Sequence, residues 1–263
     1  METEARNQTG GASEDAGGAA RKTPPPKWQL ADVIDVIAET PETTTLRIAV
    51  PEPTEFTPGQ YYNIRIPVEG RPRPIQRAYS IASSPFPKFD VVEFGIKEME
   101  GGLVSPVLAK QTKVGDKLEV RGPYGAFTWT QEMGGPLLLI SAGSGVVPFM
   151  SMIRYARAKN LSVPMHLLFS SKSSEFVIYR RELEELEKSL DWLTVTHTFT
   201  REPGHPAARF HRRIDKEMVA ELLAESQAKI GYICGPPEMV ELCEIVLVDL
   251  GLDPKNVYSE KYD

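Results

Sequence analysis

Residues 136–149 read Pro136-Leu137-Leu138-Leu139-Ile140-Ser141-Ala142-Gly143-Ser144-Gly145-Val146-Val147-Pro148-Phe149. An apolar run, a glycine turn and the start of a helical stretch follow one another without a gap. The run Leu137 to Ser141 suits a buried strand, and Phe149 to Ala158 suits a helix. Pro148 fits the first helical turn, where a missing N–H leaves nothing unpaired. Such a strand, turn and helix start aims backbone N–H groups and the positive helix end at one point, where an anionic pyrophosphate can sit on Gly143, Ser144 and Gly145. The same two glycines would also serve an ordinary tight turn. The common dinucleotide fingerprint has a third glycine, and an acid about 20 residues on for the ribose. Pro148 stands in place of the glycine and no acid lies around Val163 to Leu168, which tells against an ordinary alcohol or hydroxy-acid dehydrogenase.

Strand-like and helix-like stretches alternate downstream. Met165 to Ser170, Leu193 to Thr200, Ile230 to Cys234 and Val257 to Tyr258 read as strands. Phe176 to Leu190, Lys216 to Leu223 and Pro237 to Leu250 read as helices. This alternation predicts a five-stranded parallel sheet with helices on both faces. Cys234-Gly235-Pro236-Pro237 follows a strand and precedes a helix, at the carboxyl edge where such sheets bind ligands.

Upstream the pattern differs. Leu30 to Ile37, Thr43 to Val50, Tyr61 to Ile66, Arg77 to Ala82, Val91 to Lys97 and Lys117 to Gly122 are short β-branched and aromatic runs punctuated by Pro and Gly. They predict a six-stranded antiparallel Greek-key barrel. The expected division is a disordered tail over 1–26, a barrel over 27–133 and an α/β domain over 134–263. Within the barrel, alternation puts Arg77 and Tyr79 on one side of a strand, a guanidinium for a phosphate beside a ring for a planar heterocycle. Ser80 points the other way on this reading. Gly101, Gly102, Leu103, Val104 and Ser105 precede Pro106, with Ser105 as the expected N-cap, so this loop can hold a second diphosphate.

Bulk properties narrow the function. The 263 residues are 41% hydrophobic and 25% charged, with a net charge of −6, an ordinary globular composition that disfavours nucleic acid as a partner. No apolar stretch approaches the ~20 residues of a membrane span. The start Met1-Glu-Thr-Glu has no leader pattern, and a cytoplasmic location is expected. Cys234 and Cys243 are the only cysteines, too few for a four-thiolate iron–sulfur cluster.

Four separated motifs occur in one order, and together they resemble the ferredoxin–NADP⁺ reductase superfamily over about Trp28 to Asp263. Arg-x-Tyr-Ser-x-x-Ser matches Arg77, Tyr79, Ser80 and Ser83, and Gly-Gly-x-x-Ser matches Gly101, Gly102 and Ser105. Gly-x-Gly-x-x-Pro matches Gly143, Gly145 and Pro148, and Cys-Gly-Pro-Pro matches Cys234 to Pro237. The resemblance implies a barrel that holds FAD, with FMN as second choice, beside a domain that takes NADPH or NADH. It implies that Arg77 and Ala78 meet the flavin, that Tyr79 packs on its ring, and that Ser80 hydrogen-bonds near N5. Ile96, Lys97 and Gly101 to Ser105 are the other implied flavin contacts. Cys234 would lie near the nicotinamide with Gly235 and Pro236. Glu260 would place a carboxylate near the flavin, and Tyr262 would cover the face that nicotinamide must reach. Ser80, Cys234 and Glu260 are the implied catalytic residues.

Ser170, Ser171 and Lys172 stand where cofactor choice is made. With no acid before Glu175, hydroxyls and a cation there favour a ribose 2′-phosphate, hence NADPH. Two cysteines are too few for a four-thiolate iron–sulfur cluster, so electrons are expected to leave to a ferredoxin, a flavodoxin or an oxygenase component, or to a small acceptor. Arg71, Arg73, Lys88 and Lys97 either steer such a partner or form a solvated face. Two other readings stay open: a reductase of free flavin, and a flavin-binding subunit without its own turnover.

Overall fold

The structure, a computed structural model, describes residues 25–262; the tail reading for 1–24 lies outside the described residues. Six strands form the first sheet: β1 (Gln29–Thr40), β2 (Thr43–Ala49), β3 (Tyr61–Ile66), β4 (Ile75–Ser80), β5 (Val91–Lys97) and β6 (Lys117–Tyr124). Their order is β4-β3-β6-β1-β2-β5, and every pairing is antiparallel. An antiparallel bridge from Ile81 to Phe94 closes the ends of this order into the expected barrel. Alternation fills it: along β3, Tyr62, Ile64 and Ile66 point inward and meet Leu46, Ile48, Phe94 and Val120. Burying each such side chain contributes roughly 1.5–3 kcal/mol. Helix α1 (Ser105–Lys110) lays Leu108 and Ala109 on one end of the barrel, and Thr44 Oγ1 donates to the Ala109 carbonyl at 2.8 Å.

The second sheet has five parallel strands: β7 (Leu137–Ala142), β8 (Met165–Ser171), β9 (Leu193–Phe199), β10 (Ile230–Gly235) and β11 (Val257–Lys261). Both faces are covered, so β7, β8 and β10 are almost continuously buried. Helices α2 (Val146–Ala158) and α3 (Arg180–Ser189) close one face, while α4 (Lys216–Ser226) and α5 (Pro237–Asp249) close the other. Cys243 belongs to the second of these apolar layers. Among the described residues no helix is long and apolar enough to cross a membrane.

The strand order β11-β10-β7-β8-β9 fixes the ligand edge. From β7 the chain runs outward through β8 and β9, then returns to the other side of β7 as β10. The switch point lies between β7 and β10, and crevices for ligands open there beyond the strands' carboxyl ends. The Gly143 turn leaves β7 and Pro236 leaves β10, so the two motifs singled out in this half flank that crevice.

Several element boundaries depart from the sequence reading, among them β4, which runs Ile75–Ser80 rather than Arg77 to Ala82. Helix α2 begins at Val146 rather than Phe149. The helix expected from Phe176 begins only at Arg180, because Tyr179 takes a left-handed φ of 58°. Its hydroxyl is drawn to Thr45 Oγ1 in the barrel (3.5 Å) and its N–H donates to Glu39 (3.3 Å). Strand β11 continues to Lys261, well past Tyr258.

The two halves share one apolar layer. Phe127 and Trp129, which end the barrel, pack with Phe149, Ile153 and Tyr232 of the α/β half, and the Tyr232 hydroxyl donates to the Thr128 carbonyl at 2.7 Å. Beside this layer Arg154 reaches Glu93 and the Ala82 carbonyl in the barrel, while Ser151 Oγ donates to the Ser83 carbonyl at 2.7 Å.

Candidate functional site

One cavity of about 1130 Å³ runs between barrel and parallel sheet, and motifs from both halves line it. From the barrel come Arg77, Ala78, Tyr79, Ser80 and Lys97, together with the loop Gly102 to Ser105. From the other half come Gly143, Ser144, Ser170 to Lys172, Pro236 and Tyr262. The volume exceeds the ~300–1,000 Å³ of a usual single-ligand pocket, as a cleft receiving two large ligands requires.

On the barrel side, β4 is an edge strand whose end turns into the closing bridge at Ile81. Ser80, expected to face away from Tyr79, therefore lines the same cavity. Tyr79 also packs on the barrel core, and burial pushes its phenol up to about 12, so the ring is neutral and apolar toward the cavity. Arg77 is exposed and spends one N–H on the Gln76 carbonyl (2.9 Å), leaving the rest of its fork free for an anion. Ser105 is not the N-cap of α1. Val104 holds that position, and Ser105 Oγ accepts from the Met99 N–H (3.0 Å), closing the glycine loop on itself. The side chain of Ile96, one of the implied flavin contacts, is fully buried in the barrel core, because alternation along β5 sends it inward. Gly101 forms the exposed apex of its turn, outside the lining.

On the sheet side, Gly143 has a φ of +54°, which a side chain would strain, and the Lys97 ammonium lies 3.6 Å from where its Cβ would stand. A barrel cation thus hangs over the phosphate turn. Gly145 is required by close approach. A Cβ there would sit 2.0 Å from the Cys234 carbonyl and 2.7 Å from the Tyr262 hydroxyl. Gly145, Pro148, Cys234, Gly235 and Glu260 lie behind the cavity wall and shape it without lining it.

The parallel register sets Glu260 beside Cys234, and the Tyr262 N–H donates to the Gly235 carbonyl at 3.3 Å. Burial pushes the Glu260 carboxyl up to about 6. Burial, with the nearby Glu260 charge, raises the Cys234 thiol well above its ordinary range, so it stays protonated. The Tyr262 hydroxyl is buried near Gly145 and meets hydrogen-bond geometry with no neighbour. Ser141 Oγ, Ser171 Oγ and one Glu260 oxygen are likewise buried and unpartnered. Native interiors leave few such groups, and two of these four, on Ser171 and Tyr262, belong to residues that line the cleft, where a polar ligand can complete them.

The sequence reading did not single out Glu42, which lines the cavity from the β1–β2 turn, or Arg213 beyond the end of β9. Neither lies in a recognisable motif; only the fold brings them here. Lys97, read from the sequence both as an implied flavin contact and among the entrance cations, is half-buried inside the cleft, 4.0 Å from Glu42.

A barrel with an arginine–tyrosine strand and a glycine loop, opening onto the switch point of a parallel sheet, defines a two-domain flavin and nicotinamide-nucleotide oxidoreductase. Residues 31–129 match the family model for the oxidoreductase FAD-binding domain, and 139–244 that for the oxidoreductase NAD-binding domain. The chain is 34% identical to ferredoxin–NADP reductase B of Sorangium cellulosum over 217 residues, 79% of this chain and 86% of that one. It is 32% identical to the toluate 1,2-dioxygenase electron transfer component of Pseudomonas putida over 213 residues, 79% of this chain but only 59% of the relative. Among solved structures, the Amycolatopsis cytochrome P450 reductase GcoB matches with a TM-score of 0.79 at 25% identity, covering 93% of this chain and 72% of that one. The chain belongs to the ferredoxin–NADP⁺ reductase superfamily and is an FAD-dependent NAD(P)H oxidoreductase.

Proposed function

We propose that this chain is a reductase component that draws electrons from NAD(P)H and delivers them to a separate redox protein, a ferredoxin, a flavodoxin or an oxygenase component. The observation that carries the reading is the single cleft joining the Arg77–Ser80 strand and the Gly102–Ser105 loop to the Gly143 turn and Pro236. Relatives named as a ferredoxin–NADP reductase and as an electron transfer component of a dioxygenase support the choice of acceptor class. The two unpaired buried cysteines fit a reducing compartment such as the cytoplasm.

Bound FAD would supply the redox chemistry, taking up one hydride, which carries two electrons, and passing those electrons on singly. In this reading Arg77 and the N–H groups of Gly102 to Ser105 hold the flavin phosphates, and Tyr79 and Ser80 hold its ring. Gly143 and Ser144, with Lys97 above them, hold the nucleotide pyrophosphate. Cys234 stays neutral and compact behind Gly145, keeping anionic charge away from the hydride path. Glu260, with its carboxyl raised to about 6, is suited to holding or giving up a proton near neutrality. Tyr262 fills the approach to Gly145 and moves aside for the nicotinamide ring.

The test is anaerobic addition of NADPH or NADH to the purified, FAD-loaded chain. Bleaching of the flavin absorbance within seconds, and its return when an oxidised ferredoxin is supplied, is the expected result. A chain that binds FAD yet is bleached by neither nucleotide would overturn catalysis in favour of a passive subunit. A chain that purifies colourless and reduces added flavin would instead be a free-flavin reductase.

A further inference from the structure

The end of β8 carries no acid of its own, but the fold supplies one from the other half of the molecule. Glu42 sits on the β1–β2 turn, where its N–H donates to Thr40 Oγ1 (3.2 Å) and its carbonyl accepts from the Glu98 N–H (2.7 Å). Both bonds hold the residue rigidly at the cleft mouth. Its carboxylate accepts a hydrogen bond from the Lys172 ammonium across the cleft, and its other oxygen is 4.0 Å from Lys97. Lys172 is further fixed over the Phe176 ring, 4.9 Å from its centroid. Arg213 and Ser171 line the same cavity, and Ser171 Oγ is buried without a partner. Lys172, the cation at this strand end, is therefore already engaged by a fixed anion, with Lys97 and Arg213 as the other cations lining the cavity.

We propose that Glu42 is a specificity-determining residue for the nicotinamide nucleotide: it holds Lys172 and penalises a ribose 2′-phosphate, so the chain discriminates against NADPH in favour of NADH. This rests on the reading that the nucleotide lies along the carboxyl edge of the parallel sheet. A 2′-phosphate carries nearly two negative charges at neutral pH and must either displace Glu42 from Lys172 or lie beside it. A neutral ribose hydroxyl meets no such penalty and can donate to the carboxylate. Lysine binds anions as a point charge, so a carboxylate already on Lys172 offsets the charge that the ammonium would offer a phosphate. An acid that favours NADH usually comes from the same strand-to-helix unit that binds the ribose; here it comes from the flavin-binding half, so flavin-domain placement and nucleotide choice are coupled.

Calorimetric titration of the FAD-loaded native chain and of Glu42→Gln with 2′,5′-ADP and with 5′-ADP separates the possibilities. The amide variant should bind 2′,5′-ADP about tenfold more tightly than the native chain, the size of one partly solvated like-charge contact, and 5′-ADP no more tightly. Glu42→Ala should shift 2′,5′-ADP affinity in the same direction, and thermal melts with retained flavin absorbance verify that each variant is folded. If both variants bind 2′,5′-ADP no better than native while 5′-ADP binds all three, the role of Glu42 is overturned and the nucleotide site stands. If neither nucleotide binds any of the three proteins, the placement of the nucleotide fails and the proposal falls with it.

Discussion

Arg154 and Lys172 each carry a cation from the α/β half to a carboxylate of the barrel, Glu93 in one case and Glu42 in the other. Their surroundings differ in every respect that sets the strength of an ion pair. Arg154 is 17% exposed and satisfies Glu93, Glu182 and the Ala82 carbonyl at once, with its guanidinium 5.1 Å from the centre of the Tyr179 ring. Lys172 and Glu42 are each 31% exposed, and one ammonium meets one oxygen at the rim of a cavity. A planar fork with several acceptors in a dry layer is fixed by geometry; a single lysine contact facing solvent can be exchanged for a ligand. The first junction therefore sets how the halves meet, and the second decides what enters between them.

The largest expected effect comes from breaking the first junction. Arg154→Met removes the cation shared by Glu93 and Glu182 and leaves both carboxylates and the Ala82 carbonyl short of a donor. Removing one partner of a largely buried pair costs roughly 3–5 kcal/mol, to be read as the shift in urea unfolding of the FAD-loaded chain. A loss under about 1 kcal/mol would put Arg154 in the same class as a surface pair and erase the contrast with Lys172.

A smaller effect distinguishes a carboxylate with a cation from one without. Among the described residues no cation is bonded to Glu260, and burial lifts its carboxyl from 4.5 to about 6. The folded chain therefore holds this proton more tightly than the unfolded chain does. Its contribution to stability is fully present below about 4.5 and is lost as pH rises through about 6. Glu260→Gln removes the titration, so relative to native the variant should gain roughly 1–2 kcal/mol between pH 4.5 and neutrality, converting the shift and discounting for partial exposure. Thermal melts of both proteins across that range check it; parallel curves would mean that Glu260 is solvated in the folded chain.

What the sequence made legible here was what is local. A strand, glycine turn and helix start lie within a dozen residues, and their chemistry needs no distant partner; the same holds for the Cys234 to Pro237 turn and for the alternation inside the barrel. What escaped depended on distant contacts. Phe176 to Tyr179 read as helix by apolar spacing, but Tyr179 is pulled out of the helix by barrel groups 134 and 140 residues away. Ser105 before a proline looked like a cap, yet its hydroxyl is taken by the Met99 N–H. Ile96 was included with the flavin contacts although strand alternation turns it into the core. Glu42 gave no signal, since its partner Lys172 lies 130 residues on. No acid stands between Ser170 and Ser174, yet the fold brings Glu42 onto Lys172 from the other half of the chain.

The smallest expected effect sharpens the comparison most, because it asks whether a contact that bridges two domains need stabilise them. Lys172 lowers the Glu42 carboxyl below its usual range through their hydrogen bond, so this pair favours folding above about 4.5 and loses that contribution as pH falls, opposite in sign to Glu260. Its size is limited by exposure. The carboxylate keeps water on one side, and the lysine chain gives up rotamer freedom to stay in place. A double-mutant cycle of Glu42→Gln and Lys172→Met should give a coupling below about 1 kcal/mol in unfolding, fading in ~1 M salt where screening acts within ~3 Å. The Arg154 and Glu93 cycle should keep most of its coupling in the same salt, since its layer admits little solvent. A Glu42 and Lys172 coupling as large and as resistant to salt as that of Arg154 would make the pair a second structural clamp, too costly to open for a phosphate.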